Sequence, residues 1–245
     1  MPKYPAVLLV TLLCCCFTRI TLALEVDKTL TVPLRFHIVS NLGMNKDGLA
    51  MESWINETEI RNIVLPAVNA IWQQANIQFV VESIAVNPAL DPPDKQTLIR
   101  YVVNAERDSD GESDPERIRK LEQLIDWGAH ADAAINVYLV PYLGEASQGN
   151  AKRSIKRVFV AQWSDKSSKG KWAPARFALT EARPFREGSL SRTLAHELGH
   201  IFGLKHPDRK TQTIFDRLMG GKRAGYDLTQ EEIAVSRQRA LALAK

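Results

Sequence analysis

The stretch His196-Glu197-Leu198-Gly199-His200-Ile201-Phe202-Gly203-Leu204-Lys205-His206 gathers three imidazoles, one carboxylate and two glycines within eleven residues. On a helix, His196 and His200 stand one turn apart and project from the same face. Glu197 follows the first of them and projects close to their meeting point without joining it. Gly203 can take a positive φ, so the chain can leave the helix there and turn back. His206 then arrives from below. Three neutral nitrogens, one open coordination position and an adjacent base are what a hydrolytic zinc centre requires. The reading assigns His196, His200 and His206 as ligands of one catalytic Zn2+ and Glu197 as general base. The competing reading is three core histidines on a buried helix. A bare HExxH is roughly even between the two. Gly203 and His206 at fixed offsets make coincidence roughly a thousandfold rarer, and three of the five histidines of the chain fall here.

The chemistry follows from the residue types. A zinc-activated water is the nucleophile, and the metal polarises the carbonyl under attack. A carboxylate suits the base because the proton must be accepted and then returned to the leaving amine.

The eleven residues resemble the motif of the metzincin zinc endopeptidases. That superfamily carries a methionine turn beneath the metal, and Leu218-Met219-Gly220-Gly221 matches it, with Met219 thirteen residues after His206. Taken alone, Met219 would read as an ordinary core methionine. The resemblance implies an α+β, zincin-like catalytic domain. Its parts are a mixed, twisted five-stranded sheet, an active-site helix, a long backing helix and a C-terminal helix. It also implies a peptide or protein substrate held extended along an antiparallel edge strand, assigned here to residues 155–163. Pro207 after the third His is similar to the serralysins. The zinc-interacting Tyr of astacins and serralysins is missing, since position 221 is Gly. Tyr226 is off register and reads as a packing or surface residue. The motifs leave the family within the superfamily unassigned.

These residues need elements to hold them. Thr31 to Ser40 alternates and reads as a first strand, with His37 packed inside it or facing solvent. Glu57 to Ala75 has Ile60, Ile63, Val64, Ala67, Val68, Ile71 and Trp72 at the spacing of one buried helical face. Pro66 kinks this helix or divides it from a preceding turn. Ile77 to Ile84 reads as the second strand, and Asn87 to Ser113 as irregular. The acidic run from Asp108 to Asp114 faintly resembles a calcium loop, but a solvated loop explains it better. Ser113 and Glu116 make a capping box for a helix reaching Trp127. His130, in the loop beyond, is incidental or a second metal ligand. Ala134 to Val140 is a buried third strand, Ile155 to Trp163 a fourth, and Arg176 to Glu181 a fifth. Gly144 to Asn150 reads as loop. Ser189 or Ser191 caps the active-site helix, which runs to about Gly203. A helix from Thr229 to Ala244 closes the chain, its apolar face formed by Ile233, Ala234, Ala240 and Leu241. Asp208, Arg209 and Lys210 fall where the superfamily walls its specificity pocket.

Length and composition bound the rest. With 245 residues, 45% of them apolar, the chain suits one globular domain. Lys3, an apolar run from Ala6 to Phe17 and Thr21-Leu22-Ala23 resemble a secretory signal peptide, residues 1–23, cleaved after Ala23. The expected mature domain is 24–245, secreted or periplasmic, with no stable membrane insertion. Cys14, Cys15 and Cys16 all lie in the signal, so the mature chain has no disulfides and must hold zinc through His. Losing Lys3 and Arg19 lowers the net charge from +4 to +2, too mild to point to nucleic acid or an anionic membrane. The reading is a secreted, monomeric zinc endopeptidase. The alternatives are a non-catalytic zinc-binding module for peptides or cell-surface polymers, and a zinc amidase acting on cell-wall peptides. Calcium is possible but unsupported.

Overall fold

A computed structural model describes residues 28–43, 52–104, 115–141, 143, 149–164, 173–174, 190–207, 216–220 and 225–244. The signal peptide, the acidic run at 108–114, the strand expected at 176–181, Ser189 and the loop residues 208–210 lie outside these.

Strand β1 (Leu30–Ser40) forms where branched and aromatic side chains alternate, and it is buried along nearly its whole length. Helix α1 follows in pieces: Glu57–Glu59, a π-helical turn Ile60–Val64, Leu65–Trp72 and a 3₁₀ turn Gln73–Ala75. Asn56 starts it with a capping box to Glu59. The kink expected at Pro66 is this π turn. Proline has no N–H for the i−4 bond, and the widened turn just before it absorbs the fault. Asn76, left-handed at φ 49°, ends α1 and releases the chain into β2 (Ile77–Pro88).

The order then departs from expectation. Helix α2 (Lys95–Asn104) occupies the stretch read as irregular, burying Leu98, Ile99 and Val102. Helix α3 (Pro115–Glu122) stops short of Trp127, which begins a separate 3₁₀ turn. Strand β3 (Ile135–Val140) is buried throughout. Strand β4 (Gly149–Lys152) forms within a stretch read mostly as loop, and a turn at Arg153–Ile155 leads to β5 (Arg157–Ala161). A two-residue ladder joins β6 (Trp163–Ser164) to β7 (Ala173–Pro174). Helix α4 (Leu190–Ile201) carries the motif, and α5 (Gln230–Leu241) closes the described chain behind a Thr229–Glu232 capping box.

The sheet is mixed and five-stranded, in the order β2-β1-β3-β5-β4. Strands β2, β1, β3 and β5 are parallel, and β4 pairs antiparallel with β5. This corrects the placement of the edge strand. Residues 157–161 are paired on both sides; among the described residues β4, at 149–152, is the last strand at that end of the sheet.

Alternate residues of the central strands feed two cores. One face (Phe36, Val137, Leu139, Val158, Val160) packs on α1 and α4. The other (Val39, Tyr138, Val140, Phe159) packs on α2 and α3. Trp72 joins α1 to α4. It is fully buried, meets Phe202 and Phe79 edge-on at 5.2 and 6.0 Å, and donates Nε1–H to the Ala195 carbonyl at 3.2 Å. Helix α5 meets a second expectation in part. Ala240 is buried and Ile233 packs on the core, but Ala234 and Leu241 are exposed and Glu232, Ser236 and Arg237 complete the buried face. Arg237 anchors it by donating to the carbonyls of Ala75 and Lys28 at 2.8 and 3.0 Å. No helix among the described residues is long and apolar enough to cross a membrane.

Candidate metal centre

Helix α4 lies with one face in the core (Leu190, Leu194, Ala195, Leu198, Ile201) and its histidines turned to the other side. Gly203 takes φ +93°, and the Leu204 N–H bonds back to the Gly199 carbonyl at 2.9 Å. The turn delivers His206. The ligand atoms of His196, His200 and His206 lie within 4.8 Å of one another, the sole group of three potential metal donors among the described residues.

Carbonyl groups orient two of the rings. His196 Nδ1 lies 2.8 Å from the Leu218 carbonyl, and His200 Nδ1 lies 3.0 Å from the Leu204 carbonyl. A carbonyl accepts only, so each Nδ1 carries the proton and each Nε2 presents a lone pair. His196 Nε2 is 3.0 Å from His206 Nε2. Tetrahedral zinc with Zn–N distances of about 2.0–2.1 Å holds its nitrogens about 3.4 Å apart, so the donor set fits. Burial pushes the His196 pKa down to about 3 and lowers that of His200 as well. Both rings are therefore neutral at neutral pH, as ligands must be.

Met219 is fully buried in a turn closed by Gly220 N–H to the Arg217 carbonyl. Its Sδ fills the space where a Cβ on Gly199 would stand, 2.6 Å away. Gly199 thus lets the methionine turn close under the histidine helix. Arg192, one turn before His196 and only 3% exposed, donates to the carbonyls of Leu218 and Gly225 at 3.0 and 2.8 Å. It clamps the loop whose Leu218 carbonyl orients His196. Sequence reasoning missed it, because an arginine inside a helix reads as a solvated charge.

Glu197 is 6% exposed. Burial pushes its carboxyl up to about 8, against the opposing pull of Arg192. A cation held by the neighbouring imidazoles favours the ionised form. The side chain lies against β4: a Cβ on Gly149 would stand 2.5 Å from Oε1 and 2.6 Å from Cγ. Gly149, which sequence reading left in a loop, is therefore part of the wall around the carboxyl.

The other histidines stand apart. His37 is buried in β1, 3.0 Å from Asn136 Oδ1 and stacked 4.4 Å over Tyr138. His130 meets the Tyr138 hydroxyl at 3.1 Å and Asp132 at 3.3 Å, and joins no group of three metal donors among the described residues. Tyr226 is 41% exposed.

The family profile described as Reprolysin_5, metallo-peptidase family M12, matches residues 38–229. No curated protein matches. Among solved structures, the crystal structure of metalloproteinase-II from Bacteroides fragilis is similar at a TM-score of 0.44 and 14% identity. The match covers 87% of this chain and 54% of that one, so the chain spans about half the length of that protein.

Proposed function

The chain belongs to metallopeptidase family M12, with a metzincin-like zinc metallopeptidase domain, and on that premise we propose a secreted zinc-dependent endopeptidase with Glu197 as general base. The observation that carries this reading is the convergence of three imidazoles, two of them oriented by carbonyls, with a buried carboxyl beside an edge strand. His196, His200 and His206 would hold the ion. When bound, zinc supplies Lewis acidity, acidifying water and polarising the carbonyl to be attacked. Glu197 takes the proton from the attacking water and passes it to the departing amine nitrogen. The Leu218 and Leu204 carbonyls keep His196 and His200 in the ligating tautomer throughout.

Substrate binding belongs to β4. Among the described residues it pairs on one side only, so its other edge can receive an extended peptide by main-chain bonds. The N-terminal apolar run and Ala23 support export. Met219 serves as the packed floor beneath the histidines.

The test is a chelator-controlled digest. The purified, zinc-loaded chain is incubated with a diverse peptide mixture beside Glu197→Gln, and new termini are read by mass spectrometry. Chelator-sensitive cuts are expected from wild type. Glu197→Gln should retain one zinc and lose roughly 10²–10⁴-fold in turnover. Wild-type cleavage by that variant would overturn the mechanism. Stoichiometric zinc with no cuts by wild type would favour the binding module or the wall-peptide amidase.

A further inference from the structure

The hairpin joining β4 to β5 carries four basic side chains, and three of them are engaged. Lys152 Nζ and Arg157 Nη1 both reach Glu122 Oε1 at 2.7 Å. The Arg157 guanidinium also lies 3.6 Å over the Trp127 ring. Lys156 donates to the carbonyl of Asp132 at 3.0 Å. Arg153 is different: it is exposed, and among the described residues its guanidinium makes no ion pair and no hydrogen bond. It rests against the turn that delivers His206, with Nη1 2.9 Å from where a Cβ on Gly203 would stand. Lys205, exposed beside His206, adds a second positive charge there.

The two ends of β4 therefore have different chemistry. Gly149 abuts the Glu197 carboxyl, and Arg153 follows the far end of the strand. Four residues of strand at about 3.3 Å each separate them by roughly 13 Å. A peptide pairing antiparallel with β4, its scissile bond beside Glu197, runs its N-terminal residues toward Arg153. The third or fourth residue before that bond comes level with the guanidinium.

We propose that Arg153 selects extended peptides carrying a carboxylate side chain three or four residues before the bond to be cut. The proposal rests on the peptidase reading above and names the substrate class of the same cleft. Arginine suits the task because its planar fork binds carboxylate bidentately. A guanidinium near a helix C-terminus also complements the helix dipole. That purely structural role would affect stability and leave peptide selection untouched, so selection is what must be read.

The experiment uses the zinc-loaded full chain and peptides of one sequence, carrying Glu or Gln at the third and fourth positions before the cut. The Glu peptide is expected to be cleaved with about fivefold higher kcat/KM, a gap that narrows as salt rises. Arg153→Gln should abolish the gap and Arg153→Glu reverse it. In parallel, fluorescent forms of both peptides are titrated by anisotropy onto Glu197→Gln, with and without Arg153→Gln. Preferential binding of the Glu peptide, lost with Arg153→Gln, supports the proposal even if no peptide is cut; in that case the peptidase reading alone fails. Equal handling of the two peptides in both arms overturns the proposal, as does a preference that survives Arg153→Gln. A carboxylate preference confined to positions after the bond overturns it too.

Discussion

Glu197 shows how little freedom a buried carboxyl has. Its Oε1, Cγ and Cδ would lie 2.5, 2.6 and 2.7 Å from a Cβ at position 149, closer than real Cβ atoms come to their neighbours. Gly149→Ala therefore cannot be accommodated with both β4 and the carboxyl in place. The side chain is the softer partner, so the carboxyl moves. A displacement of about 1 Å in a reacting group can lower turnover about 10²-fold. His196 and His200 are anchored independently of β4 through Leu218 and Leu204, so Gly149→Ala should bind one zinc and lose about 10²-fold in kcat. Metal analysis beside steady-state kinetics checks this. Wild-type kcat would show that the carboxyl is placed by something other than the strand.

Among the elements, the loop closing beneath the histidine helix depends on α4 and α5 together. Arg217 pairs with Glu232 of α5 at 2.5 Å, and Leu218 N–H bonds to the Asp227 carbonyl at 2.8 Å. Arg192 holds the same loop from α4. In Arg192→Leu the Leu218 carbonyl loses one donor and the Gly225 carbonyl another, and the His196 ring loses its fixed acceptor as the loop relaxes. Zinc affinity should fall roughly 10–100-fold, read by competition with a chelator of known affinity; an unchanged affinity would reject the clamp. These are also the features that sequence could not reveal. Strands β1 and β3 and helix α1 were legible because their apolar residues repeat at strand or helix period. The histidine triad was legible because its spacing belongs to a single helix and turn. Strand β4 was not, since Gly149-Asn150-Ala151-Lys152 has no alternation, and pairing with β5 supplies what local pattern lacks. Helix α5 buries Glu232, Ser236 and Arg237 beside Ala240 and the half-buried Ile233, so an apolar-face rule finds only part of its packed side. Arg192 becomes a core residue only once a segment more than twenty residues away folds over it.

For the molecule as a whole, the centre of the sheet contains a titrating group. His37 is 2% exposed in β1, which pairs with both β2 and β3. Asn136 spends its amide N–H groups on the carbonyls of Ala131 and Ala134, so its Oδ1 accepts from His37 Nε2 at 3.0 Å. The ring stacks on Tyr138, whose phenol burial pushes up to about 12 and keeps uncharged. Burial lowers the His37 pKa below the ordinary 6.5, with the Asn136 and Asn87 bonds opposing it in part. The folded state therefore resists protonation in a range where the unfolded chain accepts it. Above pH 6.5 neither state holds the proton and the group is silent. As pH falls through 6.5 toward the lowered folded value, the unfolded state gains the proton first and stability declines, by at most about 1.4 kcal/mol per pH unit. Loss of metal from the ligand histidines at low pH adds a decline of its own, and a variant separates the two. His37→Gln should be less stable than wild type at pH 7.5, having lost the ring stack, yet its further loss between pH 6.5 and 5.5 should be smaller by up to about 1.4 kcal/mol. Urea midpoints of the zinc-loaded proteins at the three pH values measure this directly. If the two curves fall in parallel, His37 is protonated in the folded sheet and the acid sensitivity of the fold resides elsewhere.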